Sequence, residues 1–148
     1  MIFVDTSFWA ALRNRRDDHH EATHLLEAHA DIQLTTTNHV RGETWTYLRR
    51  RSGHGAAVAF LDVLDQSPRI RILRVSEEAE QRALVWLRQH DEGEYSFVDA
   101  TSFVAMGSLR IREAFPSTVT SVPLGSLHCE RKDAAVGLVP ALRCGIGT

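Results

Sequence analysis

The run Met1-Ile2-Phe3-Val4 is wholly apolar and stops at Asp5. A strand with one wet face alternates apolar and polar residues, so a run without alternation reads as a strand covered on both sides, as in parallel sheets. Parallel neighbours need long return connections, usually helices. The head of the chain therefore predicts an α/β fold in which Asp5 is delivered to the carboxyl edge of the sheet, where such folds gather their ligands.

The rest of the chain has the periodicities this requires. Asp5-Thr6-Ser7 can cap a helix running through Phe8, Trp9, Ala10 and Leu12. After a polar break at Asn14 to Asp18, His20 to Ala30 has helical spacing, and Ile32 to Thr36 is a short β-branched strand pattern. Asn38 can start the next helix, carrying Val40, Glu43, Thr44, Tyr47 and Leu48. Gly53-His54-Gly55 interrupts it, and a further helix through Val58, Phe60, Leu61, Val63 and Leu64 is closed by Pro68. Arg69 to Val75 reads as a strand. Ser76 with Glu77 and Glu78 opens a helix whose stripe is Ala79, Ala83, Val85, Trp86 and Leu87. His90 to Glu94 is a polar loop, after which Ser96 and Asp99 have the form of a capping box on a helix reaching Leu109. A chain of 148 residues with 43% hydrophobic content fits one domain with a sizeable core.

Three acids stand out by position. Asp5 ends the first strand, while Glu43 and Asp99 fall early in helices that follow loops, so all three can face one sheet edge. Each also has a local explanation: Asp5 and Asp99 are good capping residues, and Glu43 alone is an ordinary surface acid. Carboxylates brought together raise one another's pKa unless a cation neutralises them, and oxygen ligands favour Mg²⁺ or Mn²⁺. With a phosphate diester as substrate, such a metal lowers the pKa of a bound water, so hydrolysis needs no nucleophilic side chain. The alternative in the same chemical class is a phosphatase with Asp5 as nucleophile, against which stands Ser7 in place of a second acid two residues on.

Other features carry less. His19, His20, His24 and His29 read as solvated helix positions, since no third ligand at a fixed offset accompanies the His20 and His24 pair. Cys129 and Cys144 are too few for a disulfide framework or a four-ligand zinc site and receive no role. The net charge of −2 argues against indiscriminate nucleic-acid binding. The basic residues are nevertheless almost all arginine, with Lys132 the sole lysine, so local phosphate-binding patches remain open at Arg49-Arg50-Arg51 and at Arg69, Arg71 and Arg74. The first residues lack a basic region and no run is long enough to span a bilayer, so the expected location is the cytoplasm.

With these residues in view, the chain resembles a known family. The opening FVDTS, a glutamate in a helix after the second strand, and the later VDA are similar to PIN-domain ribonucleases, and specifically to the VapC-type toxins of bacterial toxin–antitoxin pairs. The longer stretches NHVRGETWTYLRRRSGH and HDEGEYSFVDATSF look most like the subset that cuts the sarcin–ricin loop of large-subunit ribosomal RNA. The resemblance covers residues 1 to about 115 and implies a three-layer α/β/α domain and a Mg²⁺- or Mn²⁺-dependent endoribonuclease. Asp5, Glu43 and Asp99 would be metal ligands and catalytic residues. Thr6 or Ser7 would be an accessory polar contact to the substrate, while Arg49 and Arg50 are candidate substrate contacts on their own account, as a local basic patch near Glu43. The partners implied are RNA and a VapB-type antitoxin, with a homodimer compatible and no membrane.

After Phe115 the chain departs from that pattern. The family continues into a strand ending in a fourth aspartate, whereas here Pro116-Ser117-Thr118-Val119-Thr120 follows and no acid occurs between Glu113 and Glu130. Back-translation of Ala114 to Thr120 as GCC TTC CCT TCG ACG GTG ACT, with one G restored after TTC, gives Ala-Phe-Ala-Phe-Asp-Gly-Asp. A frameshift is therefore the expected origin of residues 116–148, an aberrant tail expected to be poorly ordered, with Thr118 in the fourth ligand's place. A competing reading from a different class is a catalytically dead relative that only binds an antitoxin.

Overall fold

The computed structural model describes residues 1–13, 24, 26–91, 93–111, 114–115, 128–131 and 142–145. Strand β1 (Ile2–Val4) leads into helix α1 (Thr6–Arg13), and β2 (Leu34–Thr37) into α2 (Asn38–Arg51). Helix α3 (His54–Gln66) returns the chain to β3 (Ile70–Leu73), and α4 (Glu77–Gln89) and α5 (Phe97–Leu109) precede the short β4 (Ala114–Phe115). All four strands are parallel in the order β3-β2-β1-β4. This is the three-layer α/β domain expected, with β1 in the interior of the sheet.

Burial explains the apolar start. Ile2, Phe3 and Val4 are almost wholly inaccessible, as are Phe8 and Trp9 on α1. Side chains of this size each contribute roughly 1.5–3 kcal/mol when fully buried. Trp9 packs on Phe60 of α3 with ring centroids 5.8 Å apart, and Val40, Leu48, Ala57, Leu64, Met106 and Ile111 complete the same cluster. A second cluster joins Ala79, Ala83 and Trp86 of α4 to Ala100 and Val104 of α5. Trp86 stacks on His90 at 4.1 Å and 10° and meets Tyr95 and Phe103 edge-on, which anchors the loop leading to Asp99.

Local capping follows the sequence closely. Ser76 accepts a bond from the Ala79 amide, and Ser96 and Asp99 form the full capping box. Helix α2 starts at Asn38 as expected, and the preceding Thr37 is its cap, the hydroxyl accepting from the Val40 amide at 3.1 Å. Asn38 is drawn elsewhere: its Oδ1 accepts from the Val75 amide at 2.8 Å and ties the start of α2 to the segment that enters α4. β2 correspondingly runs two residues later at its start than the β-branched pattern suggested, because the backbone amide of Ile32 turns back to the His29 carbonyl. Gly53 caps α3 at φ 91°, a left-handed conformation that strains any side chain. Arg110 closes α5 in the left-handed region and turns the chain toward β4.

The expected break at Asn14 to Asp18, the His19 and His20 positions, and Pro116 to Thr120 lie outside the described residues. Within the tail, β5 (His128–Arg131) and β6 (Leu142–Gly145) pair antiparallel as a separate two-stranded sheet. Their register sets Cys129 opposite Cys144, a proximity that the distance between the two cysteines in sequence concealed.

Candidate metal centre

The site grows from the carboxyl ends of β1 and β2. Thr36 donates its hydroxyl to the Val4 carbonyl at 2.9 Å, fixing the last turn of backbone before Asp5. Asp5 then caps α1: its Oδ1 accepts from the Phe8 amide at 2.9 Å and from the Ser7 hydroxyl at 2.8 Å. One carboxylate oxygen is thus fixed by its own helix, which orients the group. Thr6, the next residue, donates its hydroxyl to Glu43 Oε2 across to α2. Asp5 and Glu43, far apart in sequence, are in this way tied to adjacent residues of one turn.

Asp99 sits at the head of α5, exposed, with its Oδ2 accepting from the Ser96 amide at 2.8 Å. It is electrostatically joined to Asp5. Burial pushes the Asp5 carboxyl above the usual carboxylate range, the Phe8 amide and Ser7 hydroxyl pull it back, and the negative charge of Asp99 pushes it up further. A carboxylate held half-buried in the field of a second one gains from a nearby cation. The donors are all hard oxygens, so the residues fit a hard divalent ion. Among the described residues, no group of three His, Cys, Asp or Glu side chains stands gathered for a metal ion. Glu43 is engaged by Thr6, and Asp99 accepts from the amide of its own N-cap residue.

Thr6 and Ser7 therefore contact the acids directly. Arg49 and Arg50 lie exposed in the last turn of α2, with Arg51, two turns beyond Glu43. His24 is exposed and His29 partly so, on a segment remote from this edge in sequence. Two tertiary contacts escaped the sequence reading. Asn38 ties α2 to α4, as described, and His39 Nε2 contacts Glu80 Oε1 of α4 at 3.0 Å while packing on Phe97, two residues before Asp99. The only sequence signal for His39 is its place one helical turn before Glu43.

A 23S rRNA-specific endonuclease, VapC20, from two strains of Mycobacterium tuberculosis (CDC 1551/Oshkosh and H37Rv), is 50% identical over 115 residues, which is 78% of this chain and 87% of the relative. The crystal structure of Mycobacterium tuberculosis VapC20, described as a sarcin–ricin loop cleaving toxin, superposes with a TM-score of 0.73 at 47% identity, covering 78% of this chain and 88% of that one. No described helix is long and apolar enough to cross a membrane. The PIN domain model matches residues 2–112, and with these relatives it shows that the chain belongs to the PIN-domain family, in its VapC toxin branch.

Proposed function

We propose that this chain is built as a metal-dependent endoribonuclease toxin of a type II toxin–antitoxin pair, acting on the sarcin–ricin loop of 23S ribosomal RNA. The observation that carries the site assignment is the Thr6–Glu43 hydrogen bond beside an Asp5 carboxyl that responds to Asp99. Asp5, Glu43 and Asp99 hold the metal, Mg²⁺ or Mn²⁺. When bound, the ion supplies a water of lowered pKa and stabilises charge on the phosphate oxygens. The chain's own residues do the positioning. Ser7 and the Phe8 amide orient Asp5, Ser96 orients Asp99, Thr6 holds Glu43, and Arg49 and Arg50 bind backbone phosphates. The domain spans residues 1–115; residues 116–148 are a frame-shifted tail in which Thr118 replaces a fourth acid. The remaining partners are a VapB-type antitoxin and a second copy of the chain in a homodimer, and the place of action is the cytoplasm.

Incubating the purified chain with ribosomal RNA in Mg²⁺ or Mn²⁺ and then in EDTA tests this reading. A single metal-dependent cut in the loop is expected, with the salt dependence of binding reduced in an Arg49→Gln/Arg50→Gln variant as two phosphate contacts are lost. Binding to antitoxin without any cleavage, even at high metal, would favour the dead-toxin reading. Acid-stable phosphate on Asp5 would favour the phosphatase. Thr6→Val keeps the shape of the side chain and removes its hydroxyl. Glu43 then loses its donor, and metal affinity, read by titrating activity with Mn²⁺, is expected to fall about tenfold, as for supporting contacts to metal ligands in general. Unchanged affinity would show that Thr6 serves α1 alone.

A further inference from the structure

Phe97 is the first residue of α5 and the only aromatic side chain among the described residues that is both markedly exposed, at 37%, and within two positions of a site acid. Helix starts tolerate many polar residues, so a large apolar ring there has no capping purpose. The ring is also held from behind. His39 of α2 packs against it with centroids 5.3 Å apart and planes 31° from parallel. His39 is itself mostly buried, its side chain 15% exposed, and is fixed by Glu80 at 3.0 Å. Asn38, next to it, is tied to the Val75 amide. Phe97 is therefore a partly open aromatic surface on a braced support rather than a loose side chain.

Resting on the ribonuclease reading above, we propose that Phe97, backed by His39 and Glu80, is a stacking subsite for an unpaired base next to the scissile phosphate. Single-stranded loops are recognised by splayed bases stacked on aromatic rings, and such stacking tolerates sequence while fixing position. Phe97 packs on His39, which stands one helical turn before Glu43 on the same face of α2. A base seated on the ring therefore lies beside the acid-bearing start of that helix, and its neighbouring phosphate is brought to the acids. His39 and Glu80 are positioning residues here: they hold the ring and touch no substrate. An apolar side chain of a protein partner is the competing occupant, and the single-stranded RNA loop proposed as substrate together with the packing of Phe97 on His39, one helical turn from Glu43, favours the base.

The test uses the full chain, an RNA hairpin with a single-stranded loop, and a matched hairpin lacking one loop base, in Mn²⁺. Phe97→Ala is expected to weaken binding of the intact hairpin about tenfold and to raise KM with little change in kcat, while leaving binding of the abasic hairpin unaffected. Phe97→Trp should retain affinity, and Phe97→Leu, apolar but without a π face, should behave like alanine. His39→Ala should lose part of the effect, again in KM. Thermal midpoints of all variants are compared, since an exposed helix-start position permits each of them to fold. Equal affinity of Phe97→Ala and wild type for the intact hairpin overturns the subsite, as does full retention by leucine. A loss confined to antitoxin binding overturns it in favour of a protein contact. If the wild-type chain neither binds nor cuts RNA, the ribonuclease reading fails first and the subsite falls with it; if wild type does both and the Phe97 series is flat, only the subsite fails.

Discussion

Replacing Asp5 by asparagine is expected to lower RNA cleavage by at least about 100-fold and, in EDTA, to raise the thermal midpoint of the same protein. The first effect rests on the proposed role of Asp5 as a negatively charged metal ligand, whose loss is at least as costly as the roughly 10- to 100-fold losses seen when groups supporting a ligand are removed. The second follows from the electrostatics of the site. Burial and Asp99 raise the folded-state pKa of Asp5 above its unfolded value of 3.8, so the folded protein binds the proton more tightly than the unfolded chain. Stability from this group is highest below pH 3.8 and declines as pH rises through the raised folded value, leaving the full cost of the buried charge at neutral pH. Asparagine removes that charge while remaining as good a helix cap. Melting curves between pH 3 and 8 check the sign: the difference between variant and wild type should grow with pH and then level off. A variant that melts lower than wild type at pH 7 would show that the Phe8 and Ser7 hydrogen bonds outweigh burial.

Restoring the reading frame after Phe115 should have an effect of comparable size in the opposite direction. The register sets Val4 beside Phe115, so β4 ends level with the strand that delivers Asp5. The restored Ala-Phe-Ala-Phe-Asp-Gly-Asp supplies an acid after that strand, where the chain as it stands has the neutral Thr118 in the proposed fourth ligand's place. The restored protein is expected to cleave RNA at least about tenfold faster at physiological Mg²⁺, with the gap narrowing as metal is raised, since the deficit is one of affinity. Equal rates at low metal would mean that three acids suffice. Sequencing the gene across the Phe115 codon decides separately whether the shift is genomic.

What could be read in the sequence was what local chemistry determines. A short apolar run ending in an acid announced β1 and Asp5, and Ser76 and the Ser96–Asp99 pair announced two helix starts, because such signals are complete within a few residues. The start of α2 at Asn38 was legible too, its capping residue less so. Thr37 and Asn38 are both good caps, and the choice between them is made by the Val75 amide, which claims the Asn38 side chain from the far side of β3. The His39–Glu80 contact was invisible for the same reason, since its members lie on helices brought together only by tertiary packing. The bond from the Thr6 hydroxyl, next to Asp5 in the chain, to Glu43 likewise became visible only in the folded structure.

The placement of β1 also bears on how the protein is made. Its neighbours in the sheet both come later in the chain: Phe3 pairs with Thr35 on one side and with Ala114 on the other. A strand translated among the first residues therefore waits for one of its two partners until most of the polypeptide has been synthesised, on the order of ten seconds at ordinary elongation rates. During that interval the nascent chain carries an apolar strand with an open edge, the kind of surface that chaperones cover and that self-associates when they do not. The ribosome thus releases a chain whose first acid is older than its site, and any interruption of translation before Ala114 yields a fragment with that edge still unpaired.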